Sequence, residues 1–197
     1  AQGLPGFRPP ARLLELLAEE AAGNNHQYAP GRGLPVLAAH VADKLNLPGT
    51  AVAKNILITC GATEAITDTY LHLARKAGST FTVAAFGPAY ESYSRLPMLL
   101  EHRFVELTRD ESDPDFLTKT ADLLVGQGVD LLFVGSPGNP FGQVIPANEV
   151  DFWCQMAAKT SLNVVFDMVY SDLWFDQPVA FPTPVLQERV YIVGSFS

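Results

Sequence analysis

The chain contains the apolar run Leu131-Leu132-Phe133-Val134, which leads directly into the turn-rich stretch Gly135-Ser136-Pro137-Gly138-Asn139-Pro140-Phe141-Gly142. A short apolar run without polar interruption is typical of a strand that is buried on both faces of a parallel sheet. Similar β-rich runs recur between longer helical patterns at residues 56–59, 81–84, 104–107, 163–166 and 190–193. This alternation predicts an α/β fold with a mostly parallel sheet sandwiched by helices.

The first part of the chain predicts helices. Residues 11–22 place apolar side chains at helical spacing and end at Gly23; these side chains are Leu13, Leu14, Leu17, Ala18 and Ala21. A second helix is predicted around residues 34–45. Three prolines within residues 178–184 indicate a surface loop.

Composition excludes several classes of protein. The 197 residues are 48% hydrophobic and 17% charged, which suits one domain, or a domain with a small appendage, around a substantial core. The net charge of -8 argues against a nucleic acid partner, because nucleic acid attracts clustered Lys and Arg. No apolar run approaches the roughly 20 residues that cross a bilayer, and residues 1–5 do not resemble a signal peptide. We therefore expect a cytoplasmic protein without a membrane partner.

The cysteines and histidines predict no metal site. Cys60 and Cys154 are far apart, and we expect both to be buried thiols in a reducing compartment. The four histidines are scattered, and no Cys or His spacing is typical of zinc.

The residues after the predicted strands are the candidates for a ligand site, because open parallel sheets bind ligands beyond the carboxyl ends of their strands. Gly61, Ala62 and Thr63 follow the run at 56–59 and open a helix. Small residues at a helix N-terminus suit a phosphate. The alternative is an ordinary strand-to-helix turn that is capped by Thr63.

Three further strand ends carry polar side chains. Asn139 lies in a rigid loop and is able to donate to a ring oxygen, or else it caps its own turn. Asp167 ends an apolar strand, where a carboxylate requires a cation such as a protonated pyridine nitrogen, or a structural arginine, or a helix to cap. Ser195 is either a second phosphate ligand or a loop serine.

Together these residues resemble the class I/II aminotransferases, which are fold-type I pyridoxal-phosphate enzymes. The runs that carry the resemblance are Asn25-His26-Gln27-Tyr28 with Gly31 and Gly33, Thr59-Cys60-Gly61-Ala62-Thr63-Glu64-Ala65-Ile66, Pro88-Ala89-Tyr90-Glu91-Ser92-Tyr93, Asn139-Pro140-Phe141-Gly142, Asp167-Met168-Val169-Tyr170 and Ser195-Phe196-Ser197. The resemblance implies residues 1–22 as an N-terminal segment of the small domain and residues 23–197 as the large, cofactor-binding domain.

The resemblance also implies pyridoxal 5′-phosphate as the cofactor. Its phosphate would be held by the backbone of Gly61, Ala62 and Thr63 and by the Ser195 hydroxyl, and Tyr90 would stack on the ring.

The same resemblance implies that Asn139 and Tyr170 bind the ring oxygen and that Asp167 pairs with the ring nitrogen, which makes Asp167 and Tyr170 the candidate catalytic residues. Tyr28 is implied to reach the phosphate in the neighbouring subunit of a homodimer; the alternative is a loop aromatic of its own subunit. Tyr93 is interpreted as a packing residue.

This chain departs from the family pattern at three places. Phe141 replaces a threonine and Met168 replaces a glutamate, at positions with no chemical role. The family's Ser-x-Ser-Lys run stops at Ser197, so the Schiff-base lysine is expected immediately after it, and we expect the chain to be part of a longer protein.

The resemblance implies an aminotransferase that moves an amino group between an amino acid and a 2-oxo acid. Two alternatives share the scaffold: a carbon–sulfur β-lyase, and a regulatory domain that binds pyridoxal phosphate without turnover. A dinucleotide-binding domain is disfavoured because residues 60–63 lack the three-glycine spacing.

Overall fold

The computed structural model describes residues 6–24, 26–47, 52–78, 80–176, 178–183 and 185–196. The chain divides into two compact units, residues 1–58 and 59–197. The predicted division into two domains after residue 22 stays a prediction.

The first unit contains α1 (Ala11–Ala22), α2 (Pro35–Lys44) and the short α3 (Val52–Asn55). The bounds of α1 are those predicted from the leucine spacing, but none of its side chains is buried. The small core of this unit consists of Ala38, Ala42 and Ile56. Gly33 has a φ of 87°, and a side chain at this position would overlap Ile58. Glycine is therefore required where the chain turns into α2.

The strand predicted at residues 56–59 is wrong, because this segment pairs with no strand of the sheet in the described part of the chain. Its backbone is held instead by a hydrogen bond from Ile58 N–H to the Arg32 carbonyl (3.2 Å). The Arg32 guanidinium donates to the carbonyls of Lys54 and Ile56, both at 3.2 Å. An apolar β-rich run becomes a strand only where a neighbouring strand accepts its hydrogen bonds.

The second unit is a five-stranded parallel sheet with helices on both faces. Its strands are β1 (Thr82–Phe86), β2 (Arg103–Leu107), β3 (Leu131–Gly135), β4 (Asn163–Asp167) and β5 (Val190–Val193). Their order across the sheet is β2-β1-β3-β4-β5, and all neighbouring pairs are parallel. Its helices are α4 (Ala62–Ala77), α5 (Ser92–Leu99), α6 (Phe116–Gly126) and α7 (Ala147–Lys159). The predicted α/β fold is confirmed.

Alternate residues of each strand face opposite cores, which gives three layers. One face of the sheet packs with Leu124 of α6 and Trp153 of α7, and the other face packs with Tyr70 of α4 and Tyr93 of α5. Leu132 belongs to the first core and Phe133 to the second. Burial of residues 131–134 of β3 explains why this strand contains no polar side chain.

The expectation of two buried thiols is half wrong. Cys154 is buried in α7, whereas Cys60 is exposed, because it lies in the turn before α4 and not in a strand. Among the described residues, no group of His, Cys, Asp or Glu is arranged to hold a metal ion. Within the same residues, the helices are too short or too polar to cross a membrane.

Candidate active site

The order of the strands locates the candidate site. The chain passes from β1 outward to β2, then returns to place β3 on the other side of β1. In open parallel sheets, ligands bind beyond the carboxyl ends of the strands at such a reversal. Residues 87–91 leave β1 at this edge, and residues 136–146 leave β3. Asp167 lies at the same level, because it pairs with Gly135 in the register of β3 and β4.

Asp167 is a largely buried carboxylate at this edge. Its Oδ2 accepts a hydrogen bond from the Tyr93 hydroxyl (2.5 Å), and its Oδ1 accepts one from Val169 N–H (3.2 Å). Burial raises the pKa of Asp167 above 3.8, and the two hydrogen bonds oppose that shift. Within the described part of the chain, no Lys, Arg or His forms an ion pair with this carboxylate. The structural arginine considered as its partner is therefore not observed there.

Tyr93 is the residue whose part in the site was missed. Its ring stacks on Phe133, with centroids 4.5 Å apart and an interplanar angle of 3°, while its hydroxyl reaches Asp167. Burial raises the pKa of Tyr93 well above its ordinary value, and the nearby Asp167 carboxylate adds to the rise. The packing prediction is right for the ring, but it overlooks the hydroxyl. A tyrosine three residues after Tyr90 was the available signal, since the two side chains lie on one side of a helical turn.

Tyr90 lies just before α5 and contacts the start of α4. Its hydroxyl lies 3.3 Å from Thr63 Oγ1, and its ring meets Tyr93 edge-on, with centroids 5.7 Å apart. Thr63 therefore uses its hydroxyl toward Tyr90. The N-cap residue of α4 is Gly61, which has no side chain, and within the described part of the chain Thr63 Oγ1 contacts Tyr90 and no backbone N–H, so the capping alternative for Thr63 is not observed.

The turn before α4 leaves backbone donors at the helix start. Gly61 has a φ of 82°, a conformation that favours glycine. Cys60 N–H donates to the Glu64 carboxylate. Among the described residues, the N–H groups of Ala62 and Thr63 donate to no backbone carbonyl, as expected of the first turn of a helix. These donors and the helix dipole suit an anion.

Asn139 lies in the loop between β3 and α7. The loop is closed by hydrogen bonds from Gly138 N–H to the Gln143 carbonyl (2.9 Å) and from Ile145 N–H to Ser136 Oγ (3.2 Å). Asn139 lines a small cavity with Tyr93 and Gly135. The structure thus brings Asn139 and Tyr93, the hydrogen-bond partner of Asp167, to one cavity.

The remaining candidates are less closely grouped. Tyr170 lies in the turn after β4, near enough to Tyr93 for its phenol to contribute to the raised pKa of Tyr93. Ser195 follows β5 by two residues. Tyr28 belongs to the first unit and is fully exposed. Asn25 and Ser197 lie outside the described residues.

Comparisons with known proteins agree with this architecture. A family model described as aminotransferase class I and II matches residues 2–197. A curated relative from Mycobacterium tuberculosis, a probable N-succinyldiaminopimelate aminotransferase, is 32% identical over 190 residues, which are 92% of this chain and 46% of the relative.

Two solved structures extend the comparison. One, from Escherichia coli and identified with a methionine aminotransferase function, has a TM-score of 0.85 at 29% identity and is matched over 100% of this chain and 53% of its own. The N-succinyldiaminopimelate aminotransferase of Mycobacterium tuberculosis has a TM-score of 0.82 at 29% identity, over 98% of this chain and 52% of its own. The chain therefore spans about half the length of the relatives it matches.

Proposed function

Because the chain belongs to the aminotransferase class I and II family, we propose that it functions as a pyridoxal 5′-phosphate-dependent aminotransferase that moves an amino group between an amino acid and a 2-oxo acid. The relatives above are aminotransferases by name, which supports this reaction over the β-lyase and the regulatory domain.

The observation that carries the proposal is the environment of Asp167. A buried carboxylate without a cationic partner in the described residues is unfavourable. A protonated pyridine nitrogen would provide the missing positive charge, and Tyr93 already holds the carboxylate in place. The residues at this edge therefore fit the ring of pyridoxal phosphate.

The other donors fit the rest of the cofactor. We assign the phosphate to the backbone of residues 61–63 at the start of α4 and to Ser195. The N–H groups of Ala62 and Thr63 are the available donors, since Gly61 N–H donates to the Thr59 carbonyl (2.9 Å). Tyr90 is assigned to the ring face, and Asn139 and Tyr170 to the ring oxygen. These assignments agree with the positions of Thr63 and Tyr90, whose hydroxyls lie 3.3 Å apart at the start of α4.

Each of these residues would contribute in a definite way. Bound pyridoxal phosphate supplies an electron sink for the bonds of the amino acid Cα. Asp167 would keep a proton on the ring nitrogen, and Asn139 and Tyr170 would hold the ring oxygen in its orientation. Tyr93 would fix the Asp167 carboxylate.

We further propose a cytoplasmic homodimer, in which Tyr28 reaches the phosphate of the partner subunit. The full exposure of Tyr28 supports its assignment to a partner subunit.

The test is a half-reaction followed by absorbance. Addition of an amino acid to the intact protein loaded with pyridoxal phosphate should change the cofactor spectrum, and subsequent addition of a 2-oxo acid should restore it. Release of ammonia and pyruvate from a thioether amino acid without an acceptor would contradict the proposal in favour of the β-lyase. An unchanged spectrum with every amino acid would support a binding domain instead.

A further inference from the structure

A buried ion pair lies beside the candidate site and has no part in the assignments above. Arg109, which follows β2, donates from Nη1 to Glu149 Oε2 (2.8 Å) and from Nη2 to Glu149 Oε1 (2.6 Å). The exposed fractions of the two side chains are 12% and 4%. The Trp153 indole N–H also donates to Glu149 Oε1 (3.2 Å). The guanidinium lies over the ring of Phe86, 4.7 Å from its centroid.

Stability alone does not account for this pair. Desolvation of two charges commonly exceeds their attraction, and well-packed apolar side chains of similar volume often stabilise a protein as much or more. In addition, Arg109 Nε is buried without a hydrogen-bond partner among the described residues, which is unfavourable. The bidentate geometry does, however, fix the relative position of the two elements that it joins.

The ion pair joins the segment after β2 to the start of α7, where the loop that contains Asn139 ends. Glu149 lies in the first turn of α7, directly after residues 136–146, and Arg109 lies after the edge strand β2. At its other end, the loop continues from β3 in the centre of the sheet. Arg109 also lines the cavity that contains Asn139, Gly135 and Tyr93. Arg109 thus contacts the cavity directly, and its pairing with Glu149 anchors the distal end of the loop.

We propose that Arg109 and Glu149 are positioning residues, which hold the Asn139 loop in the geometry that binds the cofactor ring. This inference rests on the proposed function. It predicts that the ion pair acts on cofactor affinity through Asn139, and not only on the stability of the fold.

The test is a double-mutant cycle on binding of pyridoxamine 5′-phosphate, a probe that forms no Schiff base with a lysine. The intact protein is compared with the variants Asn139→Ala, Arg109→Met/Glu149→Met and the triple combination. The paired methionines remove both charges together, so no unpaired charge is buried, but the Trp153 indole N–H loses its acceptor. The fold should therefore persist with a melting temperature lowered by about 4–8 °C. Lys119→Met, which breaks the exposed pair with Asp113 (2.6 Å), is the surface control.

We expect the paired methionine variant to lose affinity about tenfold, the control to lose none, and the triple variant to bind no more weakly than Asn139→Ala within experimental error. Additive losses, or unchanged affinity in a folded paired variant, would overturn the inference while leaving the proposed function intact. Failure of the unsubstituted protein to bind the probe would instead overturn the proposed function.

A second variant covers the case in which the paired methionines prevent folding. Arg109→Lys keeps the charge but not the bidentate geometry. Weaker probe binding with a melting temperature near that of the unsubstituted protein supports the inference. A lowered melting temperature with unchanged affinity shows a purely structural pair and overturns it.

Discussion

At the scale of single residues, the carboxylate of Asp167 and the hydroxyl of Tyr93 act as one unit. The hydroxyl reaches from α5 to the end of β4, and the Tyr93 ring stacks on Phe133 of β3, the strand next to β4. Asp167 raises the pKa of Tyr93, because ionisation of the phenol would place two negative charges side by side, whereas the hydrogen bond from Tyr93 lowers the pKa of Asp167. The tyrosine therefore remains a donor, and the carboxylate keeps one oriented oxygen.

Asp167→Asn should change how the free energy of unfolding depends on pH in the cofactor-free protein. Burial raises the pKa of Asp167 above 3.8, so the native state binds its proton more tightly than the unfolded chain does. The stabilisation from this proton is complete below pH 3.8 and is lost as the pH rises through the native pKa. Asparagine does not titrate, so the variant should become more stable relative to the unsubstituted protein as the pH rises above 3.8 and through the native pKa of Asp167.

Urea unfolding at a series of pH values measures the effect. Parallel pH profiles of unfolding free energy for the two proteins would contradict a raised pKa of Asp167 in the native state.

The same substitution should weaken pyridoxamine 5′-phosphate binding by at least about tenfold, because a charge-assisted hydrogen bond contributes about 1.5–3 kcal/mol.

Tyr93→Phe should separate packing from positioning. The ring that stacks on Phe133 remains, so the change in unfolding free energy should be small, about 1 kcal/mol. The Asp167 carboxylate loses its donor, which should raise the pKa of Asp167 further, since that hydrogen bond lowers it. The probe should bind more weakly at neutral pH. Binding that equals that of the unsubstituted protein would assign Tyr93 to the core alone.

Sequence patterns indicate candidate residues at strand ends more readily than residues in the layer that supports them. Asp167 and Asn139 stand out because each follows an apolar run, where a polar side chain requires a partner. Tyr93 was assigned to packing, since an aromatic residue on a helix usually packs. The pairing of Arg109 with Glu149 spans 40 residues of sequence and depends on the order of the strands, which local patterns do not contain.

At the scale of elements, helix α6 provides a matched test of the layered packing. Leu124 is 1% exposed and belongs to the core shared with α7, whereas its neighbour Leu123 is 44% exposed. Leu124→Ala should lower the free energy of unfolding by about 2–5 kcal/mol, and Leu123→Ala by less than about 1 kcal/mol. Denaturant titration of both variants measures the difference. Equal losses would contradict the assigned face of α6.

Strand and helix bounds were predictable where tertiary partners exist. Strands β2, β3 and β4 are each one residue longer than the predicted run, and β5 matches its run. Strand β1 begins one residue later and ends two residues later than predicted. The run at 56–59 shares their composition but lacks a neighbouring strand among the described residues. In α1, leucine spacing predicted the helix correctly, but it did not reveal that the leucines are exposed. Periodicity reports the conformation of a segment and not the presence of its partner.

At the scale of the whole molecule, the proposed site draws on residues distant in sequence, and one of them is assigned to the partner subunit. Residues of the second unit account for the proposed contacts to the phosphate, ring nitrogen, ring oxygen and ring face. Tyr28 belongs to the first unit and is fully exposed, so its hydroxyl is free to approach another protein. Whether Tyr28 acts within its own subunit or on the partner has a measurable consequence.

Mixed dimers of Tyr28→Phe and Asp167→Asn subunits distinguish the two arrangements. If Tyr28 serves the partner, the site of the Tyr28→Phe subunit combines its own Asp167 with the partner's Tyr28 and is intact, whereas the other site carries both substitutions. If Tyr28 serves its own subunit, each site carries one substitution and none is intact. Titration of purified mixed dimers with pyridoxamine 5′-phosphate should therefore show one site of unsubstituted affinity per dimer. Two weakened sites would place Tyr28 within its own subunit, and a monomeric protein would exclude the homodimer itself.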